Sequence, residues 1–172
     1  MKWIKPSRVS GTLAAPASKS MMLRAIAAAT LSKGESYIKN PSYCDDTLAG
    51  LNIVDALGAS VEREKQLTKI IGGGPLRKTI LNCGESGLCM RMFTPIASLN
   101  PEKITLNGTG SLTTRPMGMM ENPLNQLGVY CKTQNGLSPI QVKGPFRAGK
   151  VRIDGSLSSQ FLTGLLLALP LG

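Results

Sequence analysis

The sequence of 172 residues contains no histidine and few aromatic residues, namely one Trp, three Tyr and three Phe. The lack of histidine excludes nucleophiles that depend on a Ser-His or Cys-His pair, together with the usual general base near neutral pH. Acid–base chemistry would have to come from Lys, Asp, Glu or a group outside this chain. With so few aromatic residues and with scattered Lys and Arg, the chain lacks the stacking platforms of nucleic-acid-binding proteins, so we expect no nucleic-acid partner.

The four cysteines lack the neighbouring residues that would form a metal site. Cys44, Cys83, Cys89 and Cys131 form no CxxC pair, and no histidine is present to complete a zinc set, so we predict buried free thiols and no metal. The most apolar segment, residues 161–171, is too short to cross a bilayer, and the N-terminus leads into no signal peptide. We therefore expect no membrane partner and a cytoplasmic location.

Positive charge and apolar residues are plentiful. The chain has 20 Lys and Arg against 10 Asp and Glu, a net charge of +10, and 42% of its residues are hydrophobic. This composition predicts one or two compact domains with acidic partners. Charge alone does not choose between nucleic acid, an anionic membrane surface and small phosphorylated or carboxylated molecules.

Three segments share one pattern, a polar entry followed by an apolar run of helical length. They are "SKSMMLRAIAAATL" (18–31), "ESGLCMRMFTPIASL" (85–99) and "SSQFLTGLLLALPL" (158–171). Superposing the first two aligns Arg24 with Arg91, and Gly58 and Gly128 then close the helix that follows in each copy. These matches predict a repeat of about 70 residues with the order βαβαββ.

The repeat predicts an α/β fold made of α+β units. Helices that are apolar all round need cover on every side, so we expect an inside-out barrel with internal helices and external sheets. The first βαβαββ unit is predicted over residues 15–82, the second over 83–149, and the start of a truncated third unit over 150–172. Residues 1–14 are predicted as N-terminal strands that lead into the domain, with a missing second domain as one candidate partner.

The first predicted helix begins with cations. Ser18 or Ser20 can serve as its N-cap, yet its first turns carry Lys19 and Arg24 and no carboxylate. A cation near the positive end of a helix dipole costs roughly 0.3 to 1 kcal/mol, so this pattern predicts a bound anion. We expect the starts of the three apolar helices to gather and bind a phosphate. The residues concerned are Lys19, Arg24, Gly87, Arg91, Ser158, Ser159 and Gln160.

Other motifs allow two interpretations each. Arg115 in "TGSLTTRP" (109–116) is either a bidentate clamp for a carboxylate or phosphate, or a surface residue. Glu85 is either an ordinary helix-start carboxylate or a group that orients a cation. Asp45 and Asp46 resemble a favourable helix start and are given a structural role.

Five motifs in order resemble the N-terminal part of the enolpyruvylshikimate phosphate synthase family, the enolpyruvyl transferases of the shikimate pathway. They are "PASKSMMLR" (16–24), "CDDT" (44–47), "GESGLCMR" (84–91), "TGSLTTRP" and "GSLSSQFLTGLL" (155–166), and together they span nearly the whole chain. The resemblance implies two domains, each of three βαβαββ units, with the active site in the cleft between them and no cofactor. The second domain, which is absent here, would be a partner of this chain.

The resemblance also implies roles for individual residues. Phosphoenolpyruvate would be bound by Lys19, Gly87, Arg115 and Gln160, and Lys19 would have an electrostatic catalytic role. The acid–base residues would lie in the missing C-terminal half, so this part alone is expected to be inactive. Gly87 implies a site of the glyphosate-sensitive type. Shikimate-3-phosphate would be bound by Lys19, Ser20, Arg24, Ser158, Ser159 and Gln160.

The sequence departs from the family pattern in places. Glu85-Ser86-Gly87-Leu88 stands where Asn-Ala-Gly-Thr is common, Met92 stands where Pro is usual, and Ala17 replaces a frequent Gly. Two alternatives remain. One is the transferase that acts on UDP-N-acetylglucosamine, which carries a cysteine at the position of Gly110, and the other is a non-catalytic module that binds a phosphate ligand.

Overall fold

The computed structural model describes residues 3 and 5–172 and contains five α-helices and seven strands in that part of the chain. The helices are α1 (Lys19–Leu31), α2 (Asp45–Ala56), α3 (Gly87–Ala97), α4 (Glu121–Gln126) and α5 (Ser159–Ala168). The strands are β1 (Glu35–Lys39), β2 (Ser60–Arg63), β3 (Leu67–Ile71), β4 (Ile80–Asn82), β5 (Ile104–Asn107), β6 (Tyr130–Gln134) and β7 (Leu137–Lys143). Short 3-10 turns occupy Gly110–Thr114, Gly118–Met120 and Leu169–Leu171.

The strands form two sheets with the same connectivity. The first has the order β1-β3-β2 and is antiparallel throughout, with Ile70 of β3 opposite Ser36 and Val61. The second has the order β4-β5-β7-β6, and its last three strands repeat the order of the first sheet. In β7, Gln141 lies opposite Thr105 and Lys132. The fold therefore mixes helices and sheets, and two successive stretches of sequence form separate sheets that share one strand order.

The strand β4 changes the predicted division of the chain. It pairs in parallel with β5, with Leu81 opposite Leu106, and so belongs to the second sheet rather than to the unit predicted over 15–82. The N-terminal strands predicted for residues 1–14 are not found in the described part of that segment, because a strand needs a hydrogen-bonded neighbour and no strand among residues 3 and 5–172 pairs with it. Met1, Lys2 and Ile4 lie outside the described residues.

The second helix of each repeat ends in the same way. Gly58 follows α2 with φ +110° and Gly128 follows α4 with φ +80°, conformations that favour glycine. The next amide in each case bonds back into the helix, Ala59 N to Val54 O at 2.9 Å and Val129 N to Leu124 O at 3.0 Å. This is the Schellman pattern, and it confirms the predicted C-cap glycines.

The helix α3 lies at the centre of the core. All of its residues are buried except Arg91, which is half-buried. It packs most extensively against α5 and also touches α1 and α2, while α1 packs mainly on α2. In the described residues α3 is covered on every side, whereas α1 and α5 each keep an open face, with Met21 and Leu166 each 65% exposed. These two helices have one face without a neighbour in the described residues.

The thiols are mostly as predicted. Cys83, Cys89 and Cys131 are buried and free, and burial raises the pKa of Cys89 and of Cys131 to about 12. Cys44 is exposed, contrary to the expectation, and lies directly before α2 at its N-cap position. No helix of residues 3 and 5–172 is both long enough and apolar enough to cross a membrane.

The close contact between α3 and α5 depends on Gly164. A Cβ added there would overlap the backbone carbonyl of Met92. We predict that Gly164→Ala lowers the free energy of unfolding by about 1–3 kcal/mol through this overlap, even though alanine is the better helix former by about 1 kcal/mol. Urea unfolding followed by circular dichroism measures the difference.

The matched control is Gly155→Ala, where a Cβ would meet nothing within 4 Å. This variant should stay within about 0.5 kcal/mol of the wild type. Equal stability of both variants would show that the helix crossing tolerates a side chain.

Candidate anion-binding site

Each of the three apolar helices is capped by a serine. Ser18 Oγ accepts from Met21 N at 3.4 Å, Ser86 Oγ from Cys89 N at 3.3 Å, and Ser158 Oγ from Gln160 N at 3.2 Å. None of the three has an acidic residue in its first turn, whereas α2 has Asp45 and Asp46. The positive ends of these helix dipoles are therefore not neutralised by carboxylates of their own first turns.

The starts of these three helices line one cleft of about 320 Å³. Lys19 and Ser20 come from α1, Gly87 and Leu88 from α3, and Gln160 from α5. Other segments complete the lining with Asp46, Glu85, Ser111 and Arg115. The predicted gathering of helix starts is thus present in the structure, and the cleft is of a size that suits a small ligand.

Lys19 is held by a carboxylate that the sequence did not reveal as part of the site. Its Nζ lies 2.7 Å from Asp46 Oδ2, and the hydrogen bond and charge of Asp46 raise the pKa of Lys19. The approach of α2 to α1 depends on Gly50, where an added Cβ would lie 2.5 Å from Leu23 Cδ2. Asp46 therefore does more than start a helix, because it fixes the direction of the Lys19 ammonium in the cleft.

Arg115 reaches the same cleft from the turn Gly110–Thr114. Its Nη2 donates to Ser111 Oγ at 3.0 Å. Its Nη1 lies 3.2 Å from the position that a Cβ on Gly87 would take, and Leu112 Cδ1 lies 3.8 Å from that point. The absence of a side chain at Gly87 is therefore what lets the guanidinium lie over the start of α3. This position favours the clamp interpretation of Arg115.

Glu85 holds the turn that carries Arg115. Its Oε2 accepts from Ser111 N at 2.9 Å, and beside it Gly84 O accepts from Thr109 N at 2.8 Å. These Ser111 hydrogen bonds, and to a smaller extent the charge of Arg115, lower the pKa of Glu85. Gly110 has φ +51°, and a Cβ there would overlap the Glu85 carboxylate. Glu85 is therefore more than a helix-start carboxylate: it holds the turn that precedes Arg115, although it forms no ion pair with a cation in the described part of the chain.

Arg91 lies behind the cleft, next to the residues that line it. Its Nη1 donates to Gln160 Oε1 at 3.1 Å and its Nη2 to Pro116 O at 3.2 Å. Burial, followed by the charge of Arg115, lowers the pKa of Arg91. Arg91 was predicted among the phosphate-binding residues at the helix starts, but it is not in the lining of the cleft.

Three of the predicted substrate contacts are not in the lining of the cleft. Arg24 lies along α1, with its Nη1 donating to Ser20 O at 3.2 Å, and the Ser158 hydroxyl serves as a cap. Ser159 is exposed at the start of α5. The structure therefore brings together Lys19, Ser20, Gly87, Arg115 and Gln160, and leaves Arg24, Ser158 and Ser159 outside this group.

Comparison with known proteins identifies the family. Residues 4–172 match the family EPSP synthase (3-phosphoshikimate 1-carboxyvinyltransferase). The 3-phosphoshikimate 1-carboxyvinyltransferases of Methanocorpusculum labreanum and Methanosarcina acetivorans are each 42% identical over 173 residues, which cover 98% of this chain and 41% and 40% of those proteins. A structure of EPSP synthase from Acinetobacter baumannii superposes with a TM-score of 0.82 at 27% identity, covering 92% of this chain and 37% of that chain.

The chain therefore belongs to the EPSP synthase family, as the five motifs suggested. It spans about two fifths of the length of the curated relatives that it matches. The chain corresponds to the N-terminal part of the proteins of this family.

The role of Glu85 can be tested in the chain itself. We predict that Glu85→Ala lowers the hydrogen-exchange protection of the Ser111 amide by about fivefold or more, because this amide loses its acceptor. Glu85→Gln, which keeps an acceptor oxygen, should lose less. In the wild type the Ser111 protection should persist above the lowered pKa of Glu85 and disappear as the pH falls through it.

Nuclear magnetic resonance with Glu102→Ala as the control measures this effect, since Glu102 is an exposed carboxylate outside the cleft. Unchanged Ser111 protection in Glu85→Ala would contradict the assignment.

Proposed function

We propose that this chain is the N-terminal part of an enzyme that transfers the carboxyvinyl group of phosphoenolpyruvate to the 5-hydroxyl of shikimate-3-phosphate. Its contribution is the anion-binding wall of the active site. One observation carries the proposal. Four residues that the family resemblance implies as phosphoenolpyruvate contacts come from four separate segments and line one cleft, namely Lys19, Gly87, Arg115 and Gln160.

The chemistry of the reaction explains why cations are needed. The hydroxyl oxygen adds to C2 of phosphoenolpyruvate while C3 gains a proton, and the resulting tetrahedral intermediate then loses phosphate and a proton from C3. Lys19 and Arg115 would offset the carboxylate and phosphate charges as this intermediate forms. Asp46 engages one of the three donors of the Lys19 ammonium, so two donors remain for ligand oxygens.

The charge balance of the cleft argues that this wall works with a second one. Among the lining residues, the two cations Lys19 and Arg115 face the two carboxylates Asp46 and Glu85. Two substrates that together carry several negative charges need further cations, and in this proposal the C-terminal domain supplies them together with the acid–base residues. The role of Lys19 is then electrostatic, and binding to this part alone is weak.

The shikimate-3-phosphate side would use the starts of α1 and α5. These helices touch each other, and Ser20 and Gln160 already share the cleft with Lys19. Arg24, Ser158 and Ser159 complete the proposed set, and Arg24 would exchange its bond to Ser20 O for the ligand. The reaction would need no metal or organic cofactor.

The inside-out barrel is also part of the proposal. Alternate residues of β6 are buried and exposed, which is typical of a sheet with one outward face, and α3 is enclosed. The open faces of α1 and α5 would be covered by the rest of the third unit, with the second domain across the cleft. A cytoplasmic location remains a prediction from the sequence.

The geometry disfavours the alternative that acts on UDP-N-acetylglucosamine. A cysteine at the position of Gly110 would place its Cβ on the Glu85 carboxylate and would require φ +51°. A phosphate-binding module without chemistry describes the isolated chain rather than the full-length protein, since ligand contacts remain here while the proposed acid–base residues do not.

Substrate affinity tests the proposed contacts. In the full-length enzyme that includes residues 1–172, Arg24→Ala should weaken shikimate-3-phosphate binding by about tenfold or more, because a charge-assisted hydrogen bond contributes roughly 1.5–3 kcal/mol. Ser159→Ala should weaken it less, by about threefold to tenfold. Isothermal titration calorimetry measures both, and unchanged affinity in both variants would contradict the assignment.

Arg63→Ala is the matched control for charge, since Arg63 is an exposed residue of β2 outside the cleft. Its affinity should remain within about twofold of the wild type, because screening weakens the effect of a distant surface charge.

The proposal that the acid–base residues lie in the C-terminal domain gives a further prediction. The 172-residue chain alone should release no phosphate from phosphoenolpyruvate and shikimate-3-phosphate above background, because half of the proposed active site is absent. A phosphate-release assay with the full-length enzyme as the positive control measures this. Turnover by the isolated chain would show that the chemistry resides in these residues.

A further inference from the structure

We propose that Arg91 is a positioning residue that fixes the side-chain amide of Gln160 with its Nε2 group directed to donate into the cleft. The inference rests on the proposed function, because the acceptor of that hydrogen bond is an oxygen of the bound substrate. Arg91 is not itself a residue of the lining. It acts on the ligand through Gln160.

The orientation of Gln160 follows from the chemistry of its partner. A guanidinium group carries only donors, so the amide atom 3.1 Å from Arg91 Nη1 has to be the oxygen. The Nε2 group then points away from Arg91. Because Gln160 lines the cleft and Arg91 does not, this group is the one available to a ligand. An amide that was free to flip could present its oxygen to the cleft, and that oxygen would repel an anion.

The same guanidinium holds a second part of the wall. Its Nη2 donates to Pro116 O at 3.2 Å, directly after Arg115 in the chain. Arg91 thereby joins α3, the start of α5 and the segment that follows the Arg115 turn. Removal of Arg91 would release Gln160 and loosen the support of Arg115 together.

The energetics indicate that Arg91 is not there for stability. It is half-buried, its Nε is buried without an acceptor, and it forms no salt bridge with any residue in the described part of the chain. Its Nη1 lies 3.4 Å from the same Cβ position on Gly87 that Arg115 Nη1 approaches to 3.2 Å, so two like charges face each other. An apolar side chain of similar length would fill the space at a lower cost, which leaves orientation as the benefit.

A double-mutant cycle tests the proposal in the full-length enzyme. Arg91→Met and Gln160→Ala should each lower kcat/KM for phosphoenolpyruvate by about tenfold or more, and the double variant should fall no further than the worse single variant. Losses that multiply in the double variant would mean that Arg91 acts independently of Gln160, and would overturn the proposal. Should Arg91→Met fail to give a cooperative unfolding transition, Arg91→Leu, which also lacks a donor, takes its place in the cycle.

The variant Gln160→Glu tests the direction of the hydrogen bond. Its carboxylate can still accept from Arg91, so the melting temperature should not fall, yet it presents an oxygen to the cleft. We expect a loss of kcat/KM at least as large as in Gln160→Ala. Activity within about threefold of the wild type would overturn the claim that Gln160 serves as a donor.

A readout without turnover separates this proposal from the proposed function. The Gln160 side-chain NH₂ resonances, assigned by their absence in Gln160→Ala, should shift on addition of phosphoenolpyruvate to the wild type and should not shift in Arg91→Met. If the wild type shows no transferase activity, the proposed function fails and this comparison alone decides the positioning role. An equal shift in both proteins would overturn it.

Discussion

The enclosure of α3 is the constraint on which the rest of the structure depends. This helix is surrounded because α5 crosses it at Gly164 with no side chain between the two backbones, and because α1 and α2, which approach each other at Gly50, both touch it. With its axis fixed in the core, its first residue lies at the surface of the cleft. Gly87 then leaves room for the Arg115 guanidinium, and Arg91 faces Gln160 one turn further on. The site is a consequence of how the buried helices cross.

The negative charges around the cleft are few, and each is paired with a donor. The three core helices use serine caps, which satisfy an amide without adding negative charge at the helix start. Of the two carboxylates of the lining, Asp46 comes from α2 and Glu85 directly precedes the cap Ser86, and each has a specific donor, Lys19 for Asp46 and the Ser111 amide for Glu85. Asp46 orients the Lys19 ammonium, and a bound anion in the proposed function would meet less repulsion from these engaged carboxylates than from free ones.

Much of the fold and part of the site could be predicted from the sequence, because they depend on local patterns. Apolar runs with serine entries marked the three core helices, and Gly58 and Gly128 marked helix ends through a conformation that favours glycine. The contacts of Asp46, Glu85 and Arg91 could not be predicted, since each joins groups that are distant in sequence and depends on how helices and turns pack. What covers the exposed sides of α1 and α5 could not be predicted either, because composition shows that a helix is apolar but not what lies beside it.

The most direct test of the account is a crystal structure of the full-length enzyme with shikimate-3-phosphate and an unreactive analogue of phosphoenolpyruvate. The account predicts anionic oxygens of the analogue within hydrogen-bonding distance of Lys19 Nζ, the Arg115 guanidinium and Gln160 Nε2, above the backbone of Gly87. A ligand bound elsewhere, with Lys19 paired only to Asp46 and Gln160 turned away from the cleft, would contradict it.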